Sequence, residues 1–393
     1  MRLLDTYAVN CGAKIDRPHI LETYIPLPIE KFITFQAETL YDSRNYHYWQ
    51  DVLDILYPFL LKHGVTIVQA GLDKERPYKK VVDLRGKTSL HQFAYVVKNS
   101  LLYFGPDSFG VHLASMYDKP IVSIYSNNTP EISGPHFGNP KKHRLFKAYE
   151  RVGNKKPSYS PQENPKSINT IRPEEIAQAV LDLLELKEVV AFETVYTGER
   201  YSCQMIRELI PDSGMALNNP NELVELRVDL HYDENIFTAQ LNYFGKSMVV
   251  TDKPINLNLL RHFKSKIGML VYRITQDDKP EFVKQVKNLG IDVLLITELS
   301  QQEIDVKKIN YYELGKINIL PVPDEEKIKS ILSKGTQLFY RSNKFIFSKG
   351  MAFASHAARE NTVVLQNEFE YSPIINCPSF WKDLSFYTII KLK

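Results

Sequence analysis

The stretch from Leu101 to His136, LLYFGPDSFGVHLASMYDKPIVSIYSNNTPEISGPH, constrains most strongly what this chain can fold into, because it packs strand, turn, helix, strand and polar loop into 36 residues. Leu101–Phe104 is a predicted strand stopped by Gly105-Pro106. Asp107 or Ser108 then stands where a helix N-cap belongs, and Val111, Leu113, Ala114 and Met116 give the helix its apolar face before Asp118-Lys119-Pro120 ends it. Ile121–Tyr125 is the next buried strand. A helix N-terminus presents unpaired N–H groups and partial positive charge, so Ser108 and the amides near Gly110 are expected to cradle an anion, with no side chain at Gly110 to block its approach. His112, one turn in, is placed to donate to the same anion. The competing reading is structural, since a strand, turn and helix with an Asp-Ser cap occurs throughout α/β proteins.

The chain upstream repeats the rhythm. Residues 1–30 read as a short helix and an extended lead-in with Pro18, Pro26 and Pro28. Lys31–Gln36 is a predicted first strand of a parallel sheet, which sets Gln36 at the edge where open α/β sheets bind ligands. Trp49, Val52, Leu53, Leu56, Phe59 and Leu60 recur at helical spacing, and Val65–Gln69 is strand two. Val81–Leu84 is strand three, followed by the turn Arg85-Gly86-Lys87-Thr88 and a helix over Ser89–Lys98; Lys87 either holds a nucleotide or is surface charge. Asn127–Gly138 is a candidate ligand loop, and residues 139–172, rich in Pro, Lys and Ser, read as a long surface loop. A proline-started amphipathic helix follows from Pro173, so the first domain is expected to end near Lys187.

From Val82 the text VDLRGKTSLHQFAYVVKNSLLYFGPDSFGVHLASMYDKPIVSIYSNNTPEISGP resembles, block for block, the nucleotide-sugar-binding domain of the bacterial heptosyltransferase family (glycosyltransferase family 9, GT-B type). Asp83, Leu84, Gly86, Lys87, Thr88, Ser89 and Leu90 fall on its first block, and Asp107, Ser108, His112, Leu113 and Ala114 on its second. Pro120 and Thr129-Pro130 complete the order, and the resemblance covers roughly residues 1–187. It implies a nucleotide-diphospho-sugar as donor substrate, no metal, no further cofactor, and donor contacts from Gln36, Gly86, Lys87, Thr88, Asp107, Ser108, Phe109, Gly110, His112 and Thr129. Asp107 would meet sugar hydroxyls, while the helix amides, Ser108 and His112 would neutralise the diphosphate. The sequence departs from the family at Phe109, where a glycine is usual, and at His47, two before Trp49, where a basic residue usually meets phosphate, with Arg44 nearby. The family's acceptor domain, which supplies the general base, would normally precede this segment; the resemblance leaves it out of its usual place in this sequence, and the catalytic residues are expected elsewhere and stay unassigned.

The second half restarts the alternation with strand-like runs at Val189–Val195, Leu223–Val228, Ser247–Thr251, Met269–Ile274 and Val293–Thr297. Helical patterns at Asn235–Phe244, Asn256–Lys264 and Pro280–Leu289 separate them, which implies another parallel sheet, turning mixed between Gly335 and Leu365. The expected architecture is therefore α/β, with two Rossmann-like domains, 1–187 and 188–393, in a GT-B-like arrangement and the second as acceptor domain. A length of 393 residues suits two such cores. In RVDLHYDE, Asp229, His231 and Asp233 follow a predicted strand and are candidates for a base, against a plain capped turn.

Composition narrows the classes. A net charge of +3 from 49 basic and 46 acidic residues gives no basic stripe, so a nucleic-acid partner is not expected. Cys11, Cys203 and Cys377 lack metal-ligand spacing and suit a reducing compartment; without a membrane-length apolar run or a signal peptide, a cytoplasmic protein is expected. Dinucleotide, P-loop, zinc-protease and hydrolase motifs are absent. Three readings remain: a glycosyltransferase with a glycan or glycolipid acceptor, a non-catalytic nucleotide-sugar-binding or scaffold protein, and a GT-B-like epimerase or nucleic-acid-base transferase.

Overall fold

Short β-branched and aromatic runs in the first half pair into one parallel sheet, seen in a computed structural model that describes residues 2–16, 18–197, 205–213, 222–335, 337–368, 370–383 and 387–392. The described chain divides into two units, one running to Thr194 and the other from Val195 on. Cys203 lies outside the described residues.

The first unit opens with helix α1 (Leu3–Asn10) and strand β1 (Phe32–Gln36), then α2 (Trp49–Lys62), β2 (Thr66–Ala70), β3 (Val82–Asp83) and α3 (Leu90–Asn99). Next come β4 (Tyr103–Pro106), α4 (Phe109–Met116), β5 (Ile121–Tyr125), α5 (Pro130–Ser133), β6 (His143–Lys147), α6 (Ala148–Arg151) and α7 (Pro173–Leu183). The sheet order is β3-β2-β1-β4-β5-β6, with parallel pairing throughout. The order reverses between β1 and β4, so the loops leaving these two strands part to opposite sides and open a crevice at their carboxyl ends. Phe35 of β1 stacks on Phe104 of β4 with centroids 4.8 Å apart, and Trp49 meets Phe35 edge-on at 5.1 Å. Each such pair adds about 0.5–1.5 kcal/mol beyond its buried area. The Trp49 indole N–H also donates to the Ala37 carbonyl at 2.9 Å, which fixes the loop after β1.

Two expectations need correction. The stretch 139–172 is not all surface loop, because His143–Lys147 forms β6 beside β5 and Ala148 and Tyr149 of α6 are buried. A short edge strand with three basic residues, His143, Arg144 and Lys147, carries too little apolar signal to betray itself. Strand four also runs to Pro106 rather than stopping at Gly105-Pro106; at the strand's last residue the proline removes a single ladder donor.

Strand β7 (Phe192–Tyr196) crosses the division between the units, and the second unit continues with β8 (Ile206–Leu209), β9 (Val224–Arg227), α8 (Glu234–Tyr243), β10 (Ser247–Thr251), α9 (Leu257–His262) and β11 (Ile267–Ile274). Then come α10 (Pro280–Asn288), β12 (Val293–Thr297), α11 (Gln301–Tyr311), β13 (Ile317–Ile319), α12 (Glu325–Ser333), β14 (Gln337–Ser342), β15 (Lys344–Ser348) and β16 (Met351–Phe353). The chain closes with α13 (His356–Glu360), β17 (Ser372–Pro373), α14 (Pro378–Lys382) and β18 (Tyr387–Leu392). An eight-stranded sheet has the order β13-β12-β11-β10-β9-β8-β15-β16, parallel except for the β15–β16 hairpin. The mixed character expected near the end is therefore present, together with a separate four-stranded sheet of order β17-β14-β18-β7. β8, α11 and α12 escaped the sequence reading; α11 shows why, since Val306 and Ile309 face solvent and leave no apolar stripe. No helix among the described residues is long and apolar enough to cross a membrane.

Candidate functional site

The crevice at the β1/β4 reversal brings two of the sequence-predicted residues into contact. Gln36 ends β1 and Ser108 precedes α4; the Ser108 hydroxyl donates to Gln36 Oε1 at 3.0 Å, and the Tyr103 hydroxyl donates to the same oxygen at 3.0 Å. Ser108 Oγ and Tyr103 Oη are 2.9 Å apart, closing a triangle at the start of α4. Tyr103 is fully buried, and burial pushes its phenol well above the ordinary range, so it stays a neutral donor.

Ser108 has the extended backbone of an N-cap, φ −151° and ψ 175°, but its side chain makes no capping bond to α4. Among the described residues the amides of Phe109 and Gly110 therefore have no acceptor, and they point out of the helix start with the positive end of its dipole. Gly110 has a packing reason beside the one expected. A Cβ there would lie 2.4 Å from Tyr103 Oη and 2.5 Å from its ring, so glycine lets α4 sit directly on the tyrosine. Gly110→Ala should force ring or helix to move and cost about 1–3 kcal/mol. Urea denaturation measures this; an unchanged midpoint would contradict the packing account.

Asp107 does not face the open crevice. Its carboxylate is buried, with Oδ2 accepting from Ser133 Oγ at 2.9 Å and lying 3.2 Å from Arg44 Nη1. Burial raises its pKa, and Arg44 and Ser133 only partly oppose that. Arg44 also donates to the Asp107 carbonyl at 3.1 Å and to Asn127 Oδ1 at 2.8 Å. Asp107 thus ties the loops after β1, β4 and β5 together, which is a positioning role.

His112 lies one turn into α4, and helical side chains lean toward the N-terminus, so its ring belongs to the same end of the helix as Ser108. It reaches solvent, yet its packed surroundings lower its pKa, with Asp107 pulling the other way. Its neutral form donates through one ring N–H. Phe109, 47% exposed, stands at the lip of the helix start, and both side chains line a cavity of about 470 Å³.

The remaining sequence-predicted residues lie on other loops. Gly86 turns with φ +65°, and a Cβ there would meet Asp73 Cβ at 2.7 Å, so glycine is demanded twice over. Lys87 is exposed and donates from Nζ to its own turn, to Asp83 O at 2.8 Å, and Thr88 is half-buried beside it. Thr129 caps α5, its hydroxyl accepting from the Ile132 amide at 3.3 Å. His47 turns toward Lys166 and Asn169, 3.1 and 3.0 Å away. In the second unit Asp229 is held between Arg227 and Arg273, at 2.8 Å from each, Asp233 caps α8, and His231 is exposed. These three are not brought together as an acid–base group.

Sequence reasoning missed Glu75, in the loop after β2. It is 8% exposed, its Oε2 has no partner among the described residues, and burial raises its pKa. A single carboxylate in a polar loop carries no periodic signal. Among the described residues no three His, Cys, Asp or Glu side chains gather as a metal would need.

Residues 62–157 match the glycosyltransferase family 9 (heptosyltransferase) model, a narrower span than the expected 1–187. Of solved structures, the family 9 glycosyl transferase from Veillonella parvula is 19% identical, covering 40% of this chain and 46% of its own, with a TM-score of 0.33. The E. coli ADP-heptose lipopolysaccharide heptosyltransferase II is 16% identical, covering 46% of this chain and 50% of its own, with a TM-score of 0.31. The chain thus spans about half the length of these structures. No curated protein is similar enough to count as a relative.

Proposed function

We propose that the first unit binds a nucleotide-diphospho-sugar at the start of α4, and that the chain is a glycosyltransferase passing that sugar to a glycan-like acceptor without a metal ion. The observation that carries this reading is a coincidence of two kinds of finding. The family 9 match over residues 62–157 contains the β3–α3 turn, α4 and Thr129-Pro130, and α4 begins with unpaired amides at the sheet's reversal point.

In such a transfer the bond between the sugar's anomeric carbon and the diphosphate breaks, and its electron pair stays on the diphosphate oxygen. The acceptor hydroxyl forms the new bond to that carbon and gives its proton to a general base. The Phe109 and Gly110 amides, Ser108 and His112 would stabilise the charge that builds on the diphosphate. Fixed dipoles of this kind act in place because Tyr103 and Gln36 hold Ser108 from below.

The test is a thermal-shift panel of UDP-, ADP-, GDP- and CMP-sugars, since a ligand that binds only the native state raises its midpoint by mass action. One class of nucleotide should raise it, and incubation with glycan acceptors should release the nucleoside diphosphate. A flat panel would reject the donor site. A shift without release under any acceptor would favour the non-catalytic binding reading.

A further inference from the structure

The cavity that His112 and Phe109 line lies within the first unit, between α1 and the outer stripe of α4. Its volume, about 470 Å³, falls in the roughly 300–1,000 Å³ range of small-molecule sites. Its wall has two chemistries. Leu3, Leu4, Ile20, Leu113, Met116 and Ile132 make an aliphatic body with no donor or acceptor to read the edge of a base. Arg2, His19, His112 and His136 also line it, and among the described residues no carboxylate does.

Arg2 is tethered at that cavity by bonds from Nη1 to the carbonyls of Pro135 at 3.4 Å and His136 at 3.2 Å. Both use one nitrogen, so Nε and Nη2 have no protein acceptor among the described residues. The nearest acidic residue on α1, Asp5, accepts instead from the Arg2 backbone amide at 3.1 Å. The wall that α1 supplies is also unfinished. None of its residues is buried, and Leu3 and Leu4 remain 42% and 38% exposed. An eight-residue helix is marginal by itself, so apolar atoms filling the cavity would supply contacts that α1 lacks.

We propose that this cavity binds an anionic ligand with an aliphatic body, in chemical class an alkyl phosphate, with the phosphate among Arg2, His136 and His112 and the chain between α1 and α4. The site goes beyond the donor reading and meets it at His112 and Phe109. Phosphate matches the guanidinium fork and the histidine N–H groups, and the aliphatic wall accounts for the chain.

Titration calorimetry with octyl phosphate, inorganic phosphate and ADP tests this on wild type and on Leu4→Asp, with Leu3→Asp as a second probe of the same wall. Octyl phosphate should bind wild type at least tenfold more tightly than inorganic phosphate. Either substitution should weaken it at least tenfold with melting unchanged, because neither leucine is buried, and should leave ADP affinity unchanged. Octyl phosphate binding no better than phosphate, or equally well to the variants, overturns the proposal. So does loss of ADP affinity in the variants, which would make the cavity the nucleoside's own pocket. Failure of ADP to bind any form, with octyl phosphate behaving as stated, would instead count against the donor site.

Discussion

Replacing Ser108 and His112 together by alanine is expected to weaken nucleotide-sugar binding about ten- to a hundredfold for each lost charge-assisted hydrogen bond, at roughly 1.5–3 kcal/mol per bond. Both groups lie within one turn of the start of α4, whereas the helix packs through Val111, Leu113 and Ala114, which are buried. Folding should therefore survive. Losing Ser108 Oγ still leaves Gln36 Oε1 its bond from Tyr103, so the triangle loosens without stranding a buried acceptor. The affinity should also depend on pH in a stated direction. Packing lowers the His112 pKa from its ordinary 6.5, so the ring is neutral at pH 7 and gains charge only below 6.5. The two phosphates of a nucleotide-diphospho-sugar stay ionised there, so binding should tighten as pH falls below 6.5. In His112→Ala that trend should vanish. Calorimetric titration at several pH values decides; unchanged affinity in an intact double variant would reject the phosphate role.

The other large effect belongs to the second unit. Glu208 on β8 is buried between Arg227 on β9 at 2.6 Å, Lys344 on β15 at 3.2 Å and His356 at 3.0 Å. Burial by itself would raise the Glu208 pKa, but Lys344 and Arg227, helped by His356, hold it well below its ordinary value. The group therefore contributes stability that is full above the unfolded value of 4.5 and is lost as pH falls below it toward the folded value. Glu208→Gln leaves Lys344 with Asp383 at 3.3 Å and Arg227 with Asp229, so the loss should sit near the lower end of the range for a broken buried pair, about 3 kcal/mol. Calorimetry should show a lower melting temperature at pH 7 and a shallower slope below pH 4.5, where Asp229 still titrates. Equal melting of variant and wild type would mean that the network contributes nothing net.

Where the chain's own chemistry is periodic, its sequence is legible. Ile121–Tyr125, Ser247–Thr251 and Val293–Thr297 are strands at the residues expected, because each is an apolar run long enough to stand out between helices. His143–Lys147 and Ile206–Leu209 are short and charged, and only their neighbours in the sheet make them strands. At the site, Ser108 beside Gln36 follows from the order of β1 and β4, which no local pattern contains. Gly110 was legible as a necessary glycine but its packing on Tyr103 was not, since that ring comes from strand β4. Asp107 likewise looked like a sugar ligand until Arg44, 63 positions away in the sequence, claimed its carboxylate.

The central claim is that the diphosphate of a nucleotide-sugar sits on the start of α4. A crystal structure of the chain soaked with whichever nucleotide-sugar the thermal panel selects tests it most directly. The account predicts phosphate oxygens within hydrogen-bond distance of the Phe109 and Gly110 amides and of Ser108 Oγ, with His112 donating to the same group. Phosphate density elsewhere on the first unit, with those amides still bare, would contradict it.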